Sequence, residues 1–198
     1  MIRNPVELVC GAVRQYGISL PDSSSQEFYR IMDALHNYLW SLQMDILDPP
    51  NVAGWPAYYQ LPDFYEIWIN STTLPSRGQF TDALVGGIRS QGGDAVYKLD
   101  PVVYVSGFSD PSDPFVLIDD IASDLLPPIK DVNPITPAQK DYLLYNVMGL
   151  VQNDEYEWTT IWNNALKNPP DQQSLNSVTN KLKGLFKFMM RMAEFQLI

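Results

Sequence analysis

Helix starts in this chain are marked by a capping side chain directly before a proline at Asn4-Pro5, Asp100-Pro101, Asp113-Pro114 and Thr136-Pro137. An Asn, Asp or Thr side chain accepts a hydrogen bond from the unpaired amides of a first helical turn. Proline tolerates the first helical position because its missing N–H has no intrahelical partner there. At Asn4, Glu7 completes a capping box. Behind these starts apolar residues recur at three and four. Val6, Val9, Val13 and Tyr16 follow Asn4, and Gly17 suits a left-handed stop. Ser24-Ser25-Gln26-Glu27 is a further capping-box pattern. It opens the strongest amphipathic stretch, Phe28, Ile31, Met32, Leu35, Leu39, Leu42 and Ile46, ending near Asp45. A helix from Asn70 or Ser71 to about Arg89 has Leu74, Phe80, Leu84, Val85 and Ile88 as its face, with Gln91-Gly92-Gly93 as terminator. After Asp113 come Phe115, Leu117, Ile118, Ile121 and Leu125, stopped by Pro127-Pro128. After Thr136 come Leu143, Leu144 and Val147. A helix over 153–166 carries Tyr156, Trp158, Ile161, Trp162 and Leu166. The last, from Asp171, has the stripe Leu175, Val178, Leu182, Leu185, Phe186 and Met189. Residues 95–108 are ambiguous. Val96, Val102, Val103 and Val105 favour a strand, Asp100-Pro101 favours a short helix, and the helix is preferred. The expected class is all-α: an irregular helical bundle of about seven helices in a single domain, 1–198, with no convincing strand ladder.

Between the second and third helical patterns lies a different segment, DPPNVAGWPAYYQLPDFYEIWIN, residues 48–70. Four prolines and a glycine forbid a long helix there. It also holds Trp55, Tyr58, Tyr59, Phe64, Tyr65 and Trp68, and a minor hairpin across 57–69 is compatible with its pattern. Clustered Trp and Tyr suit a glycan or peptide groove, because flat faces cover apolar surface and polar tips bond. The competing reading, which is preferred, is that these rings cap the open end of a bundle. Trp55 and Trp68 are expected as core anchors. Tyr58, Tyr59, Phe64 and Tyr65 are the candidate binding residues.

Composition narrows the chemistry. Apolar residues make up 45% of the 198 residues and charged residues 18%, which is globular composition. No run of about 18 apolar residues is present to span a membrane. Net charge is −10, so binding nucleic acid over a broad face is disfavoured. Residues 172–198 oppose this trend. They hold Lys181, Lys183, Lys187 and Arg191 against Glu194, a +3 tail on a remainder of −13. A basic last helix docking on an acidic body accounts for that. Cys10 alone excludes an internal disulfide and a cysteine zinc cage. His36 alone excludes a multi-histidine metal site. His36 stands three residues after Asp33, a spacing compatible with general-base work, but no nucleophile accompanies it and a half-buried structural histidine is expected. Cys10 reads as a buried, inert thiol. Asp110, Asp113, Asp119, Asp120 and Asp124 lack the calcium-loop spacing. Asp110 and Asp113 read as caps or turns and the others as a solvated face. No catalytic residue, metal ligand or cofactor is assigned. Asn70-Ser71-Thr72 matches a glycosylation sequon.

Three stretches together carry a resemblance. Asn4-Pro5-Val6-Glu7-Leu8-Val9 is similar to an "(S/N)PVELV" helix start. Asp48-Pro49-Pro50-Asn51-Val52-Ala53-Gly54-Trp55-Pro56 is similar to a "DPPNVxGWP" signature. Trp68-Ile69-Asn70-Ser71-Thr72-Thr73-Leu74 is similar to a "WINSSTL" helix entry. The sequence resembles the large bacterial family called domain of unknown function 1800. Asp154-Glu155-Tyr156-Glu157-Trp158-Thr159 and the ending Met192–Leu197 also look like members. The resemblance implies a C-terminal portion of a longer bacterial protein, often exported, with an added Met1 and the rest of the full-length chain as its first partner. It carries over no catalytic residue. AYYQLPDFYEI stands where the commoner form has a few residues, often glycines. Three functions follow as expectations: a non-enzymatic binding or assembly module presenting residues 55–68 to a glycan or protein, the C-terminal part of a hydrolase-like enzyme, and a structural helical scaffold.

Overall fold

A computed structural model describes residues 1–55, 66–127 and 133–197. They are predominantly helical, with eight α-helices and one two-residue strand pair among them. The chain divides into two compact units, Met1–Leu99 with Gln196–Ile198, and Asp100–Phe195.

The first unit begins with α1, Pro5–Gln15. Its capping box forms as the sequence predicts. The Glu7 amide donates to Asn4 Oδ1 at 2.9 Å, and the Asn4 amide donates to Glu7 Oε2 at 3.0 Å. At its end Gly17 has φ +58°, its amide donates to the Arg14 carbonyl, and Ile18 donates back to Val13. That is the paired bonding of a Schellman stop.

The second helix, α2, spans Gln26–Ser41. Its cap is Ser25 rather than Ser24, and Ser25 Oγ accepts from the Phe28 amide at 3.2 Å. Glu27 therefore closes no box. It pairs instead with Arg30 at 3.6 Å and accepts from the Tyr97 hydroxyl at 3.4 Å. The helix also stops four residues before the predicted Asp45. Gln43 takes φ +62°, donates to the Trp40 carbonyl, and is followed by Met44 donating to Leu39. This is the stop used by α1, made without glycine, so no residue type announced it. Ile46, predicted on the stripe, is exposed in consequence.

The third helix, α3, is Thr73–Gly86. It ends before Arg89 because Gly87 turns the chain at φ +124°. Gln91-Gly92-Gly93 is instead the turn between β1, Ile88–Arg89, and β2, Val96–Tyr97, an antiparallel pair. Leu8, Val9, Ile31, Leu35, Leu42, Phe80, Leu84, Val85 and Ile88 form the core of this unit, and the Tyr38 ring meets Phe80 edge-on at 5.2 Å. Leu74 was expected on this face and is exposed. Thr73, Arg77 and Thr81 are buried there.

The second unit opens on α4, Pro101–Val105, the preferred reading of the ambiguous segment. Asp100 Oδ1 accepts from the Val102 and Val103 amides at 3.1 and 3.2 Å. Val96, read with that segment, belongs to β2. Next come α5, Pro114–Leu125, capped by Asp113, and α6, Pro137–Tyr142, with a full capping box between Thr136 and Gln139. The chain continues from α6 into a π-helical turn, Leu143–Val147. Lys181 Nζ donates to the Met148 carbonyl at 2.7 Å, a cation on the exposed carbonyls beyond that turn. The core pair of helices is α7, Tyr156–Ala165, and α8, Gln172–Met189. Trp158 and Trp162 stack at 5.8 Å, and Trp158 Nε1 donates to the Pro111 carbonyl at 2.9 Å. Val178, Leu182, Leu185, Phe186 and Met189 are fully buried, as their spacing predicts. Leu175 is only half-buried, and Phe115, Tyr156 and Leu166 are exposed.

Candidate functional site

The described part of the signature, residues 48–55, folds into a turn that delivers an indole. Asn51 Oδ1 accepts from the Ala53 amide at 2.8 Å, and the Asn51 carbonyl accepts from the Gly54 amide at 2.9 Å. Gly54 has φ +89°, a conformation a side chain resists. The chain leaves that turn at Trp55, whose ring lies 5.7 Å from the ring of Trp68, tilted by 49°. Trp68 is a core anchor as expected, 3% exposed. Trp55, expected as a second core anchor, is half-buried instead, because it rests on the outer side of Trp68 rather than within the core.

Gly54→Ala isolates the backbone term, since no atom of the described residues lies within 4 Å of the added methyl. The expected loss is about 1–2 kcal/mol, the cost of a left-handed residue with a Cβ. Chemical denaturation checks it. A loss below a few tenths would show that the turn does not need glycine.

The "WIN" motif is the matching half. Asn70 Oδ1 accepts from the Thr72 and Thr73 amides at 2.9 Å, and Thr73 Oγ1 accepts from the Asn70 amide at 2.9 Å. This is a reciprocal cap with Thr in the place Glu usually takes. Asn70 is thus a cap, as expected, and its Nδ2 also donates to Gln43 Oε1 at 2.9 Å. The amide of the sequon is occupied on both sides.

Beneath these turns lies a residue that sequence reading missed. Arg77 is fully buried. Its Nε donates to Gln196 Oε1 at 2.6 Å, its Nη1 to the Trp68 carbonyl at 3.4 Å, and its Nη2 to the Arg3 carbonyl at 2.8 Å. Among the described residues these partners are neutral oxygens. Burial, and then the charge of Arg3, push the guanidinium down to about 10, so it remains a cation at neutral pH. The Arg3 amide donates to the Gln196 carbonyl at 2.8 Å, and Ile2 bridges to Leu197. Arg77 therefore holds the Trp68 carbonyl and both of these segments at once. The signal was present in the spacing. Arg77 stands three before Phe80 and seven before Leu84, on the buried stripe of its own helix.

Above Trp55 the first unit has an open groove of about 450 Å³, with Trp40, Gln43, Asp45, Asp48, Pro50 and Trp55 on its lining. Trp40 is 66% exposed. His36 Nε2 meets Asp45 Oδ1 at 3.0 Å, so the partner of His36 is Asp45 rather than Asp33. Nine residues separate them, beyond helical neighbouring, and the contact exists because α2 stops early and the chain folds back. His36 is half-buried, as expected. No hydroxyl or thiol bonds to its imidazole among the described residues. Ser41, on the groove wall, donates to the Tyr38 carbonyl at 2.7 Å. The turn that follows carries Leu47, 92% exposed, and Val52, fully exposed.

The remaining candidates are placed as follows. Pro56, Tyr58, Tyr59, Phe64 and Tyr65 lie outside the described residues, as does most of the suggested hairpin. Asp48, Pro49, Pro50 and Asn51 are exposed. Cys10 is half-buried rather than buried. The acids of the second unit are hydrogen-bond acceptors more than a free face. Asp120 accepts from the Ser109 hydroxyl at 2.6 Å, Asp124 from the Tyr104 hydroxyl, and Asp119 from Lys140 at 2.6 Å. Asp110 and Asp113 cap turns as expected. Among the described residues no three His, Cys, Asp or Glu side chains gather to hold a metal ion. No helix among them is long and apolar enough to cross a membrane.

Comparison with known proteins agrees with the three motifs. No curated protein and no solved structure matches the chain. One family model does, over residues 1–197, and it runs through every turn just described. The chain belongs to the family described as protein of unknown function (DUF1800).

Proposed function

We propose that the first unit is a non-enzymatic binding module and that its groove takes a saccharide. The observation that carries this is Trp40, an indole two-thirds exposed on a concave wall it shares with Trp55. A soluble domain gains nothing in stability from an exposed indole, whereas a sugar ring covers one well. The C–H faces of a pyranose pack on the ring, and its hydroxyls need acceptors beside it. Asp45, Asp48 and Gln43 supply those acceptors along the same wall. A hydrolytic role gains no comparable support, because no nucleophile among the described residues is bonded to the His36–Asp45 pair.

A glycan array probed with the labelled protein tests the reading. Binding to one saccharide class, weakened about five- to tenfold by Trp40→Ala, is the expected result, since loss of one stacked ring is worth about 1–1.5 kcal/mol. Leu47 and Val52 favour a second reading, a protein partner, because exposed aliphatic side chains contribute little to a sugar site. Silence of the array, with association to a protein lost on Leu47→Ser, selects that reading over the first.

A further inference from the structure

The groove above Trp55 has a charge as well as a shape. Its described lining, from Trp40 to Thr72, comes wholly from residues 31–76. That stretch holds Asp33, Asp45, Asp48, Asp63 and Glu66 and has neither lysine nor arginine. Two of these acids, Asp45 and Asp48, stand on the groove wall with Trp40 and Trp55. Asp45 is held in place, since His36 Nε2 lies 3.0 Å from its Oδ1. Asp48 is exposed, and its carboxylate has no hydrogen-bond or ion-pair partner among the described residues.

This sign discriminates among saccharides. A uronic or sialic acid would bring its carboxylate against Asp45 and Asp48, with no cationic side chain on the described lining to receive it. A neutral sugar avoids the repulsion, but it shields Asp48 from water and leaves that charge uncompensated. A sugar with a protonated amine supplies the missing charge. Its ammonium donates charge-assisted hydrogen bonds to carboxylates, roughly twice as strong as those of a hydroxyl. An ammonium near the face of an indole is attracted by the ring as well. The net charge of −10 draws such a ligand in from solution.

We infer that the groove selects a cationic amino sugar, its ring on Trp40 and its ammonium against Asp48 and Asp45, a reading that rests on the saccharide proposal above and names the chemical class of the sugar.

The test is calorimetry on the full chain with two probes of one backbone, the β-1,4-linked tetramers of glucosamine and of N-acetylglucosamine, at a pH that keeps the amine protonated. The glucosamine tetramer should bind about five- to tenfold more tightly, and the difference should shrink as salt rises. Asp48→Asn is isosteric, keeps a carbonyl acceptor and lies on the surface, so it should fold. It should bring the ratio of the two affinities towards one. Trp40→Ala should weaken the glucosamine tetramer about five- to tenfold, which attraction to net charge alone would not do. Tetralysine, a cation without a pyranose ring, should bind more weakly than the glucosamine tetramer. Equal or tighter binding of the N-acetylated tetramer, or a ratio that Asp48→Asn leaves unchanged, overturns the inference while the saccharide reading stands. So does a preference for tetragalacturonate. Tetralysine bound as tightly as the amino sugar overturns it also, because the occupant would then be a basic segment of a protein. Failure of these oligosaccharides and of the whole glycan array removes the saccharide reading itself, and the inference with it.

Discussion

Arg77→Met should lower the stability of the first unit by about 3 kcal/mol, a melting shift of roughly 10 °C. The cost arises from what the arginine leaves behind. Three acceptors converge on it: the Trp68 and Arg3 carbonyls and the Gln196 side chain. A methionine fills similar volume and removes a buried cation, which by itself is favourable. The abandoned acceptors, about 1–3 kcal/mol each when no other donor reaches them, outweigh that gain. Arg77→Lys should recover part of the loss at most, because one ammonium cannot reach three acceptors spread around a planar fork. Denaturant unfolding of the three proteins decides the matter. An Arg77→Met protein within about 0.5 kcal/mol of the parent, the usual range for a substitution outside any special feature, would show that water replaces the guanidinium without penalty.

Trp68→Ala should cost about 3–5 kcal/mol, the usual range for emptying a large aromatic site. Trp68 is almost wholly buried, and its ring is the surface on which Trp55 rests. The substitution therefore acts twice, on the core of the unit and on the wall of the groove. Trp68→Phe should cost much less, about 1–1.5 kcal/mol, because volume is largely kept. Its lost N–H adds little, since no described residue accepts from Trp68 Nε1. Denaturation midpoints measure the first effect. The second appears as easier acrylamide quenching of tryptophan fluorescence in Trp68→Ala than in Trp68→Phe. Equal stability of the two variants would remove Trp68 from the role given to it.

Helix starts in this protein were legible because their causes are local. Asn4, Asp100, Asp113, Thr136 and Asp171 each cap a helix through their own side chains, and each can be read from a few adjacent letters. Helix ends were legible only where a glycine or proline marked them. Gly17 did so for α1, whereas Gln43 makes the same left-handed stop for α2 unannounced. That single miss carried Ile46 into a predicted core and hid the fold-back that brings Asp45 to His36. Arg77 was hidden for another reason. A charged residue on an apolar stripe reads as an interruption, and nothing local shows that three distant oxygens will surround it. The groove itself was half legible. The signature segment and Trp55 stand out by type, but nothing in the letters around Trp40 marks it as a groove residue. Its exposure follows from tertiary packing, which the 3.6-residue period alone does not determine.

The most direct measurement of the central claim is saccharide binding by the parent protein, Trp40→Ala and Trp55→Ala on one glycan array, followed by calorimetry on the best ligand. A single saccharide class bound by the parent, with affinity reduced about five- to tenfold in both variants and unfolding midpoints unchanged for Trp40→Ala, is the predicted result. Absence of saccharide binding, or binding that both variants retain in full, would contradict it.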